Sequence, residues 1–401
     1  MQRSTLARRA AQLSATTPAP VPANTIAFDS GHAFPGVLPD LTAEAERALS
    51  VFRTEALQYA PRPGLPEFRA RLVDLMREDA VEITAGHVLV TNGAKHAIEL
   101  ICRVLLDEGD SIVVTAPTYF TAIPIFRSFG VTFIEVGQDG EGLDVEALAR
   151  RLEQLALHGQ RLPKLIYNVP DFHNPTGVTM SHARRRELID LAVERRIFLV
   201  EDSPYRRMRF EGHAVPSLKA LDRADIVLHV GTFSKLMAPG LRVGWTAGPP
   251  DIIARMIQLK SDGGSCPLTQ RVITEFLGAG RLGPHIAEVR ARYGANRDRM
   301  VSALSRELPE VRFDVPQGGY YLWLTLPMSI DGDAVARCAA EAGVSVLAGS
   351  GFFARTDVGH PKHHLRLAYS HASGDEIDEG VIRLAGAFRL VAEGRAVATA
   401  R

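Results

Sequence analysis

The sequence predicts an α/β protein: a large domain around a mostly parallel sheet, plus a second, smaller α+β unit. Three observations lead there. The chain has 401 residues, 46% of them hydrophobic, which is too long for one compact core and apolar enough to fill two. From Val88 onward short apolar runs without polar alternation are each followed by a helical pattern, as strands covered on both faces read. After Pro250 this rhythm gives way to long helical stretches with a few paired strands.

The elements follow in order. Residues 1–24 are rich in Ala, Arg, Thr and Pro. Arg3, Arg8 and Arg9 without nearby acids imitate a transit peptide, but a short helix or loose arm ended by the Pro18–Pro22 region is the simpler reading. Strands are predicted at His87–Val90, Ser111–Thr115, Val131–Val136, Lys164–Tyr167, Ile197–Val200 and Ile226–Val230. Helices are predicted near Lys95–Leu106, Phe120–Phe129, Val145–Leu155 and Ala183–Arg195. Beyond Pro250, helices near Asp251–Lys260 and Ile286–Arg306 precede a strand pair, Val311–Val315 and Gly319–Leu324. A helix near Ala334–Ala342, strands near Val344–Leu347 and Leu365–Ala368, and a helix near Glu376–Val391 complete the chain. The expected division is 1–50 as an arm and part of the small domain, 51–285 as the large domain, and 286–401 as an interdomain helix and small C-terminal domain.

Composition excludes several classes. There are 46 basic and 46 acidic side chains, so the basic excess of a dedicated nucleic-acid binder is missing. No apolar run approaches the ~20 residues of a membrane helix. Cys102, Cys266 and Cys338 are scattered and form no CxxC pair, which suggests neither a disulfide framework nor a zinc site and fits a reducing cytoplasm.

In a parallel sheet ligands sit beyond the carboxyl ends of the strands, so the residues after each apolar run are where chemistry is sought. Gly231-Thr232-Phe233-Ser234-Lys235 follows one such run. A lysine is usually a solvated surface charge. This one follows two hydroxyls at alternate positions and precedes Ala238-Pro239-Gly240-Leu241-Arg242. A buried amine beside cations has a lowered pKa and forms Schiff bases, and Thr232, Ser234 and Arg242 together suit a phosphate. The segment Gly231–Trp245, GTFSKLMAPGLRVGW, closely resembles the lysine segment of fold-type-I pyridoxal-phosphate aminotransferases of the aspartate aminotransferase superfamily. It is most similar to the group of 2-aminoadipate aminotransferases and the aminotransferase-like domains of fused transcriptional regulators. The resemblance runs from Ile26 to the last helix, with several segments in the same order, and implies a seven-stranded large-domain sheet.

That resemblance assigns roles. Lys235 would carry pyridoxal 5'-phosphate as a Schiff base. Asp202, ending Val200-Glu201-Asp202-Ser203-Pro204-Tyr205, would pair with the pyridine nitrogen; by itself an Asp there reads as a turn cap. Tyr205 and Asn174, the latter in Asn168-Val169-Pro170-Asp171-Phe172-His173-Asn174-Pro175-Thr176-Gly177, would share the phenolic oxygen. Gly93, Ala94 and Lys95, in Thr91-Asn92-Gly93-Ala94-Lys95-His96, join a strand to a helix start whose N–H groups suit a phosphate. Relatives commonly carry a hydroxyl and a glutamine where Ala94 and Lys95 stand. Tyr119, in Ala116-Pro117-Thr118-Tyr119, matches an aromatic that stacks on the ring, although a core aromatic is the ordinary reading. Tyr59, in Gln58-Tyr59-Ala60-Pro61-Arg62, matches the segment that reaches a neighbouring subunit's phosphate, implying a homodimer with shared sites. Arg366, in His363-His364-Leu365-Arg366, matches the arginine that grips the substrate α-carboxylate, and Gly31 the glycine of a loop over the substrate. The two histidines look metal-like, but neighbours on a strand face opposite ways. Gly31's loop and Lys260–Pro267, KSDGGSCP, depart most from relatives and are expected to line the side-chain pocket.

The function implied is transfer of an amino group between an L-amino acid and a 2-oxo acid. Elimination, decarboxylation, cyclisation or oxidation at the same carbon use the same residue set. A regulatory sensor would need a DNA-binding module, and only a short arm precedes Ile26. A structural scaffold would not keep Asp202, Lys235 and Arg366 together.

Overall fold

A computed structural model describes residues 24–394; the arginines at 3, 8 and 9 lie outside them. Among the described residues thirteen strands form three sheets. In chain order they are β1 (Ile26–Ala27), β2 (Val88–Thr91), β3 (Ser111–Ala116), β4 (Thr132–Asp139), β5 (Gly142–Leu143), β6 (Leu165–Asn168), β7 (Phe198–Asp202), β8 (Val227–Thr232), β9 (Gly244–Ala247), β10 (Tyr321–Thr325), β11 (Val344–Ser345), β12 (Leu347–Ala348) and β13 (His364–Ala368).

The large sheet runs β2-β9-β8-β7-β6-β3-β4-β5. Strands β8, β7, β6, β3 and β4 are mutually parallel, whereas β9 lies antiparallel to both its neighbours. Every residue of β2, β6, β8 and β9 is buried. This is the pattern of a sheet covered on both faces, with helices such as Ala94–Leu105 and His182–Arg195 between the strands. The sheet has eight strands instead of seven because β5, two residues long, folds back antiparallel on β4. Strand β9 is not announced by an apolar run: Gly-Trp-Thr-Ala has a single large side chain, and burial comes from being sandwiched between β2 and β8.

Four other expectations change. The helix foreseen at Phe120–Phe129 is confined to Ile123–Arg127, leaving Tyr119 and Phe120 in the connection. Val311–Val315 is not a strand; it makes one bridge, Arg312 to Thr325, before Pro316, and Val315 is exposed. Val344–Leu347 splits at Val346: Val344–Ser345 pairs in parallel with Ile26–Ala27, and Leu347–Ala348 pairs with β13. The N-terminal segment is thereby stitched to the C-terminal unit. His363 precedes β13, so the two histidines do not alternate; their rings lie 4.3 Å apart.

The second unit is the three-stranded sheet β10-β13-β12. The 26-residue helix Leu282–Glu307 packs against Gly374–Ala392. The latter opens on a capping box: Ser373 Oγ accepts from Glu376 N–H, and the Glu376 carboxylate accepts from Ser373 N–H. No helix among the described residues is long and apolar enough to cross a membrane.

Candidate active site

The carboxyl ends of β6, β7 and β8 face the small sheet across a cavity of about 580 Å³. It is lined by Gly31, Ala94, Lys95, Tyr119, Asn174, Asp202, Tyr205, Thr232, Ser234, Lys235, Arg242 and Arg366. Twelve of the fourteen residues singled out from the sequence therefore meet in one place. Gly93 sits directly behind it, and Tyr59 lies outside. A groove of about 670 Å³ elsewhere, between Glu44, Asp74 and Arg271, holds none of them.

Asp202 is the last residue of β7. Its Oδ2 accepts from Tyr167 Oη at 2.6 Å, while Oδ1 is buried without a partner. Burial pushes the carboxyl up to about 6, against the pull of Tyr167 and His229. Asn174, in the connection after β6, accepts from Arg366 Nη1 at 3.0 Å through Oδ1, and its buried Nδ2 has no partner. The neighbouring His173 is anchored between Thr115 Oγ1 and Thr176 Oγ1, each 3.0 Å away. Burial pushes its imidazole down to about 3, so it stays neutral.

Lys235 follows β8. Its Nζ donates to the Gly31 carbonyl at 2.6 Å. Burial first, then Arg366 and Arg242, hold the amine below the ordinary lysine range, with Tyr321 acting the other way. Tyr320 Oη donates to the Lys235 carbonyl at 3.1 Å and fixes the backbone there.

The phosphate-sized end of the cavity is assembled from three segments. Ser234 N–H donates to Thr232 Oγ1 at 3.1 Å. Gly93 has φ +78, and a Cβ there would stand 2.8 Å from Arg242 Nη2, so only glycine permits both the turn and the approach of the guanidinium. The helix Ala94–Leu105 starts at this point, with its free N–H groups and positive dipole end. Lys95 in its first turn is exposed. Asn92 Nδ2 donates to Asp262 at 2.7 Å, and buried Lys260 donates to the same carboxylate at 2.6 Å. The Lys260–Pro267 segment thus braces the turn at Asn92 and Gly93; its residues do not appear in the cavity wall.

Arg366 lies on β13, opposite Trp323 of β10 and Leu347 of β12. It donates to Asn174 and to the Asp29 carbonyl, and its buried Nε has no partner. Its guanidinium stands 4.1 Å from the Tyr321 ring centroid. Tyr119 is at the cavity wall, its phenol pushed up to about 12 by burial. Tyr59 is 86% exposed.

Sequence reasoning did not single out Tyr167, Tyr321, Asp29, His32 or Asp262. Tyr167 ends an otherwise apolar run, and a buried phenol needs a partner; that was a usable signal. Tyr321 sits in Gly-Gly-Tyr-Tyr, where only the register of β10 against β13 decides which tyrosine faces the cavity.

The unpaired groups fit a flat, phosphorylated heterocycle. A protonated ring nitrogen would complete Asp202 Oδ1, and a ring oxygen would complete Asn174 Nδ2. A phosphate would suit the helix start beside Arg242, and the Lys235 amine would suit an aldehyde. Fold and site together define a pyridoxal-phosphate enzyme of fold type I.

The comparisons agree. The profile of the family "Aminotransferase class I and II" matches residues 23–384. Aromatic-amino-acid aminotransferase 1 of Thermococcus litoralis is 35% identical over 353 residues, covering 87% of this chain and 83% of that one. The 2-aminoadipate transaminase of Thermus thermophilus is 33% identical over 373 residues, covering 91% and 90%. The crystal structure of Pyrococcus horikoshii kynurenine aminotransferase, solved with PMP, superposes with a TM-score of 0.90 at 33% identity over 97% of this chain and 98% of that one. The chain belongs to the class I and II aminotransferases. It is a pyridoxal-phosphate-dependent enzyme that transfers an amino group between an amino acid and a 2-oxo acid.

Proposed function

We propose that this aminotransferase works through the residues gathered above, with L-amino acids as donors. The observation that carries the assignment is the pair of buried, unpartnered atoms, Asp202 Oδ1 and Asn174 Nδ2, in the same cavity as the Lys235 amine and the Arg366 fork. When bound, the cofactor supplies a sink for the electrons left at the substrate α-carbon. Asp202 holds the ring nitrogen protonated. Asn174 and Tyr205 hold the ring oxygen, and Tyr119 covers one face. Thr232, Ser234, Arg242 and the backbone of Gly93, Ala94 and Lys95 hold the phosphate. Lys235 would be the covalent anchor and the base positioned to take the α-proton; its lowered pKa leaves more of it neutral and able to do so. Arg366 binds the α-carboxylate with paired hydrogen bonds and fixes the α-carbon beside Lys235. Gly31 and its neighbours cover the substrate.

The side-chain end of the cavity includes Phe120, His32 and Leu347, and these walls favour a large apolar or aromatic side chain. Relatives named for aromatic amino acids and kynurenine fit that wall.

The working unit is a homodimer in the cytoplasm, with Tyr59 completing the partner's phosphate site. Leu57 and Val51, both exposed like Tyr59, extend the same surface. The large domain spans 51–285, and the described residues of 1–50 and 286–401 form the interdomain helix and small domain.

Borohydride reduction and peptide mapping test the anchor: the pyridoxyl group is expected on Lys235, and a label on another lysine refutes it. Donor and acceptor screening by product mass spectrometry identifies the substrates. Mixing Tyr59→Ala and Lys235→Ala subunits is expected to regenerate activity in heterodimers; an active, strictly monomeric enzyme by light scattering overturns the shared site.

A further inference from the structure

Tyr321 stands where the two halves of the site touch. It is the first residue of β10 and is 4% exposed. Its hydroxyl accepts from Tyr205 Oη at 3.3 Å. Its ring lies under the Arg366 guanidinium at 4.1 Å. Register explains the second contact: Arg366 is opposite Trp323, and Tyr321 is the next residue on that face of β10, a diagonal neighbour of Arg366 across the antiparallel pair. The hydroxyl also fills the space beside Gly31. A Cβ on Gly31 would collide with Tyr321 Oη and come within 3.3 Å of Lys235 Nζ. Gly31 is therefore small because this phenol occupies its side, and the Lys235 amine is close by.

The adjacent Tyr320 serves a different purpose, since its hydroxyl is spent on the Lys235 carbonyl. The charged and titratable groups around Tyr321 are Arg366, Lys235 and Tyr205, with Tyr119, Tyr320 and Tyr369 beyond. Arg366 and Lys235 draw the Tyr321 phenol below its usual range although burial opposes them. A phenol so placed is a strong hydrogen-bond donor.

We propose that Tyr321 is a positioning residue that couples the cofactor to the substrate grip: with the cofactor bound the Tyr205–Tyr321 hydrogen bond reverses, so that the Tyr321 hydroxyl donates to Tyr205, and its ring face supports Arg366. The inference rests on the roles given above to Tyr205 and Arg366. When Tyr205 turns its own proton toward the cofactor's ring oxygen, its oxygen is free to accept from Tyr321. Hydrogen bonds in such a chain polarise one another, so Tyr321 makes Tyr205 a better donor and lets the ring oxygen carry more negative charge. The separation of 3.3 Å is long for two hydroxyls, as catalytic contacts are before the ligand that orders them is bound. The same side chain holds the guanidinium flat through a cation–π contact. One residue therefore touches both the group that tunes the cofactor and the group that orients the substrate.

The test uses purified holoenzyme with Tyr321→Phe, Tyr321→Leu and Tyr205→Phe. The first readout is the pH titration of the bound cofactor's visible absorbance. A weaker donor at the ring oxygen disfavours the deprotonated, more negative form, so the titration moves upward: by about half a unit in Tyr321→Phe and about one unit in Tyr205→Phe. The second readout separates KM from kcat. Tyr321→Phe keeps the ring under Arg366, so KM for donor and acceptor is expected to stay within about twofold, whereas Tyr321→Leu raises both by about fivefold. A role confined to packing moves neither the titration of the near-isosteric Phe variant nor the two KM values together. A shift in Tyr205→Phe with none in Tyr321→Phe overturns the coupling alone. No shift in either removes Tyr205 from the cofactor and the coupling with it. Unchanged KM values in Tyr321→Leu overturn the support of Arg366, and if that variant does not fold, the Phe titration still decides the relay.

Discussion

The two walls of the cavity are built in opposite ways. The cofactor wall comes from one sheet: Asp202 ends β7, and Asn174 and Lys235 follow its neighbours β6 and β8. Its unpaired atoms, Asp202 Oδ1 and Asn174 Nδ2, await a ligand. The substrate wall is pieced together from remote segments: Gly31 beside β1, Tyr321 on β10, Leu347 on β12 and Arg366 on β13. Here most hydrogen-bonding groups are engaged with protein carbonyls, Arg366 with Asp29 and Lys235 with Gly31, and only Arg366 Nε is buried without a partner. The first wall is a rigid template with open valences. The second is a set of contacts that an incoming carboxylate and amine must exchange for their own. On the proposed roles, the difference places cofactor retention and substrate grip in separable parts of the molecule, joined at Lys235 and Tyr321.

Substitutions test that separation, beginning with the largest effect. Lys235→Ala removes the proton carrier common to both walls and is expected to lower the single-turnover rate by roughly 10⁴-fold, the upper range for positioned acid–base groups. A fall of only a few-fold in stopped-flow traces assigns the proton transfer to another group. Asp202→Ala strikes the cofactor wall alone. Turnover is expected to fall about 10³-fold while the phosphate contacts keep the cofactor bound through dialysis. Steady-state rates near wild type in a folded variant remove Asp202 from the ring nitrogen.

The third prediction concerns stability in the cofactor-free protein. Asp202 has its carboxyl raised from 3.8 to about 6 by burial. Between those values the folded state binds more protons than the unfolded one, so this group's favourable contribution is complete below about 3.8 and lost as pH rises through about 6. At pH 8 the buried carboxylate therefore costs about 3 kcal/mol. Asp202→Asn is expected to raise the urea midpoint of the apoprotein at pH 8, with the gain shrinking toward pH 4. A gain that is independent of pH contradicts the titration as its origin.

The smallest expected effect belongs to the substrate wall. Arg366→Lys keeps the charge but loses the planar fork. Lost hydrogen bonds to a charged partner amount to about 1.5–3 kcal/mol, or roughly 10–100-fold in kcat/KM, for donor and acceptor alike and with the cofactor absorbance retained. Arg242→Lys, in the phosphate end, is expected to release cofactor first. Equal behaviour of the two variants in paired occupancy and half-reaction measurements would falsify the division into two walls.

Much of this molecule is legible from the chain alone because its strongest signals are local. Buried parallel strands are continuous apolar runs, and ligands gather at their ends, so Asp202 and Lys235 are found by looking just past Val200 and Val230. The segment carrying Lys235 and Arg242 brings its hydroxyls and guanidinium within twelve residues, and the structure keeps them together. Local signals fail where a partner decides the outcome. Gly244–Ala247 becomes a strand because two strands flank it, and Val311–Val315 does not, despite its branched residues. The short run at Val344–Leu347 serves two sheets because one half meets Ile26–Ala27 and the other meets Leu365–Arg366.

The sequence by itself thus determined the fold class and which strand-end residues, Asp202 and Lys235 among them, meet in the cavity, since each depends on periodicity or spacing within a short stretch of chain. Only the tertiary structure decided that Tyr167 anchors Asp202, that Asp262 braces the turn at Asn92 and Gly93, and that Tyr321 rather than Tyr320 lies between Tyr205 and Arg366. Those contacts join residues 35, 170 and, for the two partners of Tyr321, 116 and 45 positions apart. No local pattern encodes them, because a hydrogen bond or a cation–π contact acts over a few ångströms of space, and strand register alone sets which side chains share that space.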